Sequence, residues 1–289
     1  MTLALAVDIG GTKFETAIVD LEGTIVDRRR CDSTGATDGE ELWERLVSIL
    51  DGVDFSSLAV CGVGTGGPMR RGGTGVSPLN IPVWRDFPLH ARLAALTALR
   101  THIDNDAKAL ALGEAWKGAA VGEQNFIGMV VSTGVGGGIV LDGRLLDGDD
   151  ANAGHIGHVI VEPEGTELPD HVRGTLEAEA SGTAIAFRTG RPAAEADDEE
   201  IRRAGTMVGR GIGSVANLLD LRLAVVAGSV ALGFGDPFFA AAQAEIDRVA
   251  RLQHSLGTVI RRAALGADGP LVGAAAVGFR GIGHDVGVR

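Results

Sequence analysis

Short apolar runs broken by glycine alternate along the chain with stretches whose apolar residues recur at helical spacing. "LALAVDIGG" (residues 3–11) stops on paired glycines, and "FETAIVDLEG" (14–23) resumes with alternating residues that end in a turn. Together they predict a β-hairpin closed by a glycine-rich bend. "TDGEELWERLVSIL" (37–50) offers Thr or Asp as a cap, acidic residues in its first turn, and Leu42, Trp43, Leu46, Ile49 and Leu50 at helical spacing. That is the pattern of an amphipathic helix. "SLAVCGVGTGG" (57–67) predicts a buried strand running into a glycine turn, and "LRTHIDNDAKALALGEAWKGA" (99–119) begins as a strand and becomes a helix at about Asp106. Asp104, Asn105 and Asp106 therefore fall where strand gives way to helix, a place where polar groups face a cleft in α/β sheets.

"NFIGMVVSTGVGGGIVLDG" (125–143) repeats the opening device, and its end "GGIVLDG" is close to the earlier "TAIVDLEG". A glycine-turn hairpin that occurs twice predicts two related halves with a cleft between them. "RTGRPAAEADDEE" (188–200) is expected to be a solvated loop, and "EIRRAGTMVGRGIGSVANLLDLR" (200–222) a helix weakened by glycine. "LAVVAGSVALG" (223–233) predicts a strand, and "GPLVGAAAVGFRG" (269–281) a helix that packs back on the body. The expected division is a small α/β domain of residues 1–107 plus 271–289 and a large one of 108–270.

Composition narrows the function classes. With 289 residues the chain can bury a substantial core, and its 44 glycines lie between apolar runs, where they read as turns and points of close backbone approach. A net charge of -12 argues against nucleic acid as a partner, which would need clustered Lys and Arg. No apolar stretch reaches the roughly 20 residues that span a bilayer, the amino terminus lacks the marks of a signal peptide, and Cys31 and Cys61 are the only cysteines. Cys61, inside an apolar run, is expected to pack as a small buried hydrophobe. A cytoplasmic protein is expected.

The chemistry concentrates in the glycine loops. "DIGGTK" sets Asp8 before Gly10 and Gly11, and Thr12 and Lys13 after them. A tight turn without Cβ atoms can offer backbone N–H groups to phosphate oxygens while a neighbouring carboxylate holds Mg²⁺ through water. The other reading is a plain hairpin turn. "STGVGGG" supplies a second loop with Ser132, Thr133 and Gly134, and neither loop fits a P-loop or a dinucleotide fingerprint. In "DND", Asp106 is a candidate general base for phosphoryl transfer to an alcohol; alternatively Asp104 and Asp106 only cap the following helix. Gly228 and Ser229, after the strand at 223–227, stand where a nucleotide base or ribose can lie against backbone.

Taken together, "VDIGGTK", "VGTGGP", "NDA", "VSTGVGGG", "AGHIGH", "GTLEAEASG" and "AGSV" resemble the ROK group (repressors, open reading frames and sugar kinases), over nearly the whole chain. The resemblance implies the two-lobed actin-like ATPase (ribonuclease H-like) fold, duplicated α/β domains around a central cleft. It also implies an ATP- and Mg²⁺-dependent kinase that closes on a sugar, and a homodimer. By position, Asp106 would take the proton from the sugar hydroxyl, Asn105 would hold a neighbouring hydroxyl, and Gly67 would line the sugar pocket. His158 and Glu177 match sugar-binding positions. Thr12, Lys13, Thr133 and Gly134 match the phosphate loops, and Asp8 the acidic residue near the metal.

Three departures matter. Many members carry three cysteines that, with the second histidine, hold a structural Zn²⁺; here Leu168, Asp170 and Thr175 fall in their places, so zinc is expected to be absent. A site of Asp170, His171 and His158 has adjacent ligands and poor tetrahedral geometry. Without zinc, the loop from Glu164 to Thr175 is expected to order by packing Leu168 inward. His155 stands where glucokinases of the family carry glutamate, and N-acetylmannosamine kinases are similar to the chain here, which moves the expected acceptor towards an N-acylated hexosamine; a supporting position behind the pocket is the alternative. Lys108 replaces a frequent asparagine and is expected to point away from the base, with a modest effect. A repressor of the group would need an added DNA-binding domain ahead of the first hairpin, which is not expected here because that hairpin begins at about residue 3, and retention of Asp8, Asp106 and both loops speaks against a silent sugar-binding protein.

Overall fold

The computed structural model describes residues 2–169 and 171–289. The expected hairpin forms from β1 (Leu3–Ile9) and β2 (Lys13–Asp20), antiparallel with Asp8 opposite Glu15 and Ile9 opposite Phe14. β3 (Ile25–Asp32) extends it, with side chains alternating between half-buried and exposed as on an edge strand. Helix α1 (Gly39–Ser48) starts at Asp38, whose carboxylate accepts the Glu41 N–H at 2.9 Å, while the Glu41 side chain reaches back to the Thr37 N–H at 3.0 Å. β4 (Val60–Thr65), α2 (Leu89–Thr97), β5 (Thr101–Asn105) and α3 (Asp106–Lys117) follow. The strands run in the order β3-β2-β1-β4-β5, with β1, β4 and β5 parallel. Cys61 is fully buried in β4, and burial pushes its thiol up to about 12.

β6 (Phe126–Val131) and β7 (Val135–Leu141) form the second hairpin. The two-residue β8 (Arg144–Leu145) lies in a segment, 143–153, that packs with the first sheet's unit, where the Leu145 N–H donates to Arg289 O at 3.1 Å. Then come α4 (Leu176–Ala180), α5 (Gly182–Thr189), α6 (Asp198–Leu219), β9 (Leu223–Ala227), α7 (Ser229–Val249) and β10 (Val259–Arg262). Within the second unit the strand order is β10-β9-β6-β7, with β6, β9 and β10 parallel. Each unit is thus an antiparallel hairpin whose first strand continues into a parallel sheet, the duplication read from the sequence.

The stretch 188–200 is not wholly a loop. Its acidic end is the first turn of α6, because Asp197 accepts the Glu200 N–H at 3.0 Å and Asp198, Glu199 and Glu200 favour a helix N-terminus. The glycines of α6 also serve a purpose: a Cβ at Gly205 or Gly209 would run into the carbonyls of Phe238 and Ala242 on α7. They let the two helices pack with backbones nearly touching.

α8 (Gly269–Gly281) returns to the first unit and is buried almost throughout, its Gly278 against Gly62 of β4 and its Gly273 against α3. The two units comprise residues up to Gly122 with Gly143–Ala153 and Ala264–Arg289, and Glu123–Asp142 with Gly154–Ala263. The observed division keeps all of α3 with the first unit, whereas the sequence pattern placed the break at 107/108. Each unit has its own core. Leu5, Val7, Phe14, Leu46, Val63 and Trp84 represent the first, and Met129, Val131, Ile212, Val226 and Phe238 the second. Among the described residues no helix is long and apolar enough to cross a membrane.

Candidate active site

In the first unit the turn between β1 and β2 is closed by the Gly10 N–H, which donates to Lys13 O at 3.1 Å. That N–H is therefore committed to the turn, and the tip of the loop is Gly11 and Thr12. A Cβ on Gly11 would stand 2.8 Å from the Asn80 amide nitrogen, so a side chain from the 78–80 segment lies against the loop. Lys13 pairs with Glu15. Asp8, one residue before the end of β1, sits in a desolvated place; burial raises its carboxyl to about 7, repulsion from Asp106 and Glu15 adds to the rise, and Lys13 opposes it.

β4 and β5 bring the other groups to the same end of the sheet. Gly64 is opposite Asp8 in the β1–β4 register and opposite Asp104 in the β4–β5 register. A Cβ there would lie 3.4 Å from Ala109 Cβ, 3.8 Å from Asp106 Cα and 3.9 Å from Asp8 Oδ1, all ordinary contacts, which places Gly64 between Asp8 and the start of α3. The turn after β4 is braced by the next segment: Gly67 O accepts the Leu79 N–H at 3.1 Å and Pro68 O the Ser77 N–H at 2.9 Å.

At the strand-to-helix junction the capping role falls to Asn105 rather than to the aspartates. Its Oδ1 accepts the Ala107 N–H at 3.0 Å, because it is the last extended residue before the helix, and Asp106 Oδ1 shares that N–H at 2.8 Å. Asp104 Oδ1 accepts the Asn105 N–H at 2.9 Å and pairs with Lys108. Lys108 is only 1% exposed, with its ammonium between Asp104 (2.9 Å) and Asp147 (2.6 Å). Desolvation raises the Asp104 carboxyl, and Lys108 opposes the rise.

In the second unit the loop between β6 and β7 closes with the Ser132 N–H on Gly134 O at 2.9 Å. It is held from outside by the start of α5: Gly182 N–H donates to Ser132 O at 2.7 Å, and Thr183 Oγ1 to Thr133 O at 2.9 Å. Ser132 Oγ and Ser229 Oγ are 2.9 Å apart, so the loop and the "AGSV" turn expected to share a ligand do come together. Gly228 has φ 102°, and a Cβ there would strike Val131 O; only glycine fits this start of α7.

Glu177 on α4 is bound into the same loop. Its Oε2 accepts the Val135 N–H at 2.7 Å, its Oε1 meets His171 Nε2 at 3.0 Å, and a Cβ on Gly134 would come within 2.6 Å of Oε2. The "AGHIGH" turn lies on β7, where side chains at Gly154 and Gly157 would collide with the carbonyls of Gly137 and Val135. It carries His155 and His158 with ring centroids 5.9 Å apart.

The loop from Glu164 to Thr175, expected to order by packing Leu168 inward, is held by both apolar and polar contacts. Leu168 is buried with Ala178 and Ala184, as its apolar character predicts. Thr175 is the buried N-cap of α4. Fully buried Glu179 binds the Thr166 N–H and Arg203, and Gly174 N–H donates to Thr166 O at 2.9 Å. Asp170, one member of the alternative zinc set, lies outside the described residues. Among the described residues no group of three or more His, Cys, Asp or Glu is arranged to hold a metal.

Sequence reasoning missed Thr183 and the burial of Lys108, and it considered His171 only as a member of a poor zinc set, not as the partner of Glu177 six residues on. For Thr183 the signal was present in "EASGT", two residues past a helix cap; for Lys108 the outer partner, Asp147, is remote in sequence.

Two α/β units, each headed by a glycine-turn hairpin and carrying acidic or hydroxyl groups at the strand ends, define the actin-like ATPase fold found in sugar kinases. The chain belongs to the ROK family, whose model matches residues 4–279. It is 38% identical over 184 residues to a glucokinase of Thermotoga maritima, a match covering 63% of this chain and 58% of that one, so it spans less than two thirds of that relative. It is 33% identical over 253 residues to an N-acetylmannosamine kinase of Yersinia pestis, covering 81% and 86%. A ROK family glucokinase from Streptomyces griseus, solved in complex with glucose and AMPPNP, superposes with a TM-score of 0.83 at 26% identity over 96% of this chain and 99% of that one.

Proposed function

We propose that the chain is a sugar kinase that transfers the γ-phosphoryl of ATP to a hydroxyl, O6 by family pattern, of a hexose or N-acetylhexosamine. The observation that carries this reading is the meeting of Asp8 and Asp106 at one end of the first sheet. Phosphoryl transfer to an alcohol needs a carboxylate to take the hydroxyl proton and a second acidic group for the cation that accompanies the nucleotide. Asp106 is the proposed base, with one oxygen on the Ala107 N–H and the carboxylate carried on the rigid first turn of α3. Asn105 holds a neighbouring hydroxyl through its amide while its oxygen caps the helix, and Gly67 lines the sugar pocket.

His158 and Glu177 are assigned to other sugar hydroxyls. Glu177 already accepts the Val135 N–H and meets His171, so its carboxylate is fixed before sugar arrives. His155 replaces a group that only accepts hydrogen bonds with one that, when neutral, both donates and accepts, which favours an acetamido-bearing sugar over glucose. The names of the relatives, glucokinase and N-acetylmannosamine kinase, span both choices.

Gly11, Thr12 and Lys13, with Gly10 shaping the turn, are assigned to the phosphates, as are Thr133 and Gly134, and Gly228 and Ser229 to the nucleoside. The place of Asp8 fits a hard cation bound through water: a desolvated carboxylate beside Asp106 and Glu15 gains from a positive neighbour. Asp8 would hold Mg²⁺ there through water, and the ion would offset charge on the nucleotide's phosphates. A coupled ADP-release assay across glucose, mannose, N-acetylglucosamine and N-acetylmannosamine tests the proposal. Sugar-dependent ADP release is expected with at least one, and measurable sugar binding without turnover on any of them would overturn it.

A further inference from the structure

Lys108 is a buried lysine in the first turn of α3, two residues after the proposed base. Its stem is enclosed, with 1% of the side chain exposed, and its ammonium ends between two carboxylates from different parts of the chain. One is Asp104, on β5 four residues earlier, at 2.9 Å. The other is Asp147, from the returning segment 143–153, at 2.6 Å, with Ala151 O of the same segment at 3.4 Å. A lysine is kept out of water only where its charge is matched, and here the match spans three elements.

What the ammonium touches bears on the site. The Asp104 oxygen that pairs with Lys108, Oδ1, is also the oxygen that accepts the Asn105 N–H at 2.9 Å. Asn105 Oδ1 in turn accepts the Ala107 N–H that Asp106 Oδ1 also binds. A continuous chain of polar contacts therefore runs from Asp147 through Lys108 and Asp104 to the backbone that carries Asn105 and Asp106. Asp104 and Asp147 line one pocket of about 230 Å³ together with Met69, Ile103, Arg71 and Arg280. The ammonium closes across the strand-to-helix junction from within α3, a place where a shorter neutral side chain could not reach both carboxylates.

We propose that Lys108 is a positioning residue for phosphoryl transfer: by tying Asp104 and the 143–153 segment together, it fixes the junction that presents Asn105 and Asp106. The assignment rests on the kinase reading for its catalytic consequence, and on geometry alone for its effect on the junction. Reacting groups misplaced by about 1 Å can lose on the order of 100-fold in rate, so a loosened junction lowers kcat while leaving nucleotide contacts intact.

The test compares wild type with Lys108→Met, which keeps the stem and removes the charge, and Asp147→Asn, which removes the half-exposed outer anchor and threatens folding least. Steady-state kinetics, thermal melting and backbone amide exchange across residues 104–107 and 143–153 are measured on each. The expected result is a drop in kcat of about 10-fold or more in Lys108→Met, a smaller drop in the same direction in Asp147→Asn, an unchanged KM for ATP, and faster exchange at 105–107 in both. If both variants keep kcat within about twofold and exchange at 105–107 is unaltered, the inference is overturned, whatever the melting temperatures show. Should wild type itself transfer no phosphoryl group, the kinase reading fails, and the exchange data still decide whether Lys108 holds the junction.

Discussion

The two hairpins share a glycine-turn design and a similar second strand, yet the structure surrounds their loops with different chemistry. In the first, the carboxylates and the ammonium belong to the hairpin itself: Asp8 and Glu15 face each other across the strands and Lys13 closes on Glu15. In the second, the hairpin is almost all glycine and hydroxyl, and its polar fixings arrive from elsewhere, from Thr183, Ser229 and Glu177. A duplicated backbone device has thus been specialised, one copy to place charge and the other to be held by its surroundings. The same difference explains the glycines. Gly11 yields to Asn80, an exposed residue, whereas Gly134 yields to a carboxylate fixed by two hydrogen-bonding partners.

The largest effect is expected on the charged side. Asp106→Asn keeps the cap at Asn105 and the shape of the junction but cannot accept a proton, so kcat should fall by about 10² to 10⁴ with sugar binding retained by calorimetry. Near-normal turnover would remove Asp106 from the base role. Next, Gly134→Ala forces Glu177 off the Val135 N–H and should raise KM for the sugar about 10-fold, while Gly11→Ala displaces only the exposed Asn80 segment and costs about threefold or less. Equal losses in the two variants would erase the proposed contrast between the loops.

A pH effect on stability isolates the charge placed by the first hairpin. Folding takes the Asp8 carboxyl from its ordinary 3.8 to about 7, so the folded chain binds the extra proton between these values. Stability therefore falls as pH rises from about 4 to about 7 and levels off above. In metal-free protein, Asp8→Asn should melt several degrees higher than wild type at pH 8, with the gap closing near pH 4. An equal melting temperature at pH 8 would show that Asp8 carries no such penalty. The smallest effect belongs to the second unit's 164–175 loop, where Leu168→Ala empties a three-residue cluster and should cost about 2 kcal/mol in denaturant unfolding; a loss below about 0.5 kcal/mol would mean that Glu179 and its partners order the loop unaided.

Much of this was legible in the sequence because the relevant spacing is local. The hairpins, the strand-to-helix switch at Asp106 and the amphipathic α1 follow from residues within one or two turns of each other. Leu168 was also readable, since a lone leucine in a polar loop has little reason to stay in water. What escaped was set by distant partners. Nothing near Lys108 announces Asp147, 39 residues on, so the expectation that Lys108 points away from the base with a modest effect held no hint of a buried three-way ion pair. Likewise, "ADDEE" reads as solvated until Asp197 is seen to cap α6, and the glycines of α6 look like weakness until α7 packs on them. The capping role at the junction was misplaced by one residue, from the aspartates to Asn105, because cap position depends on where the extended backbone ends.

The most direct test of the account follows phosphorus by ³¹P NMR, with ATP, Mg²⁺ and whichever of the four sugars binds most tightly. The account predicts that the γ-phosphate signal is replaced by that of a sugar phosphomonoester, with ADP in equal amount, and that Asp106→Asn abolishes the change while binding the same sugar. Release of inorganic phosphate alone, or an unchanged ATP spectrum with the sugar bound, would contradict it.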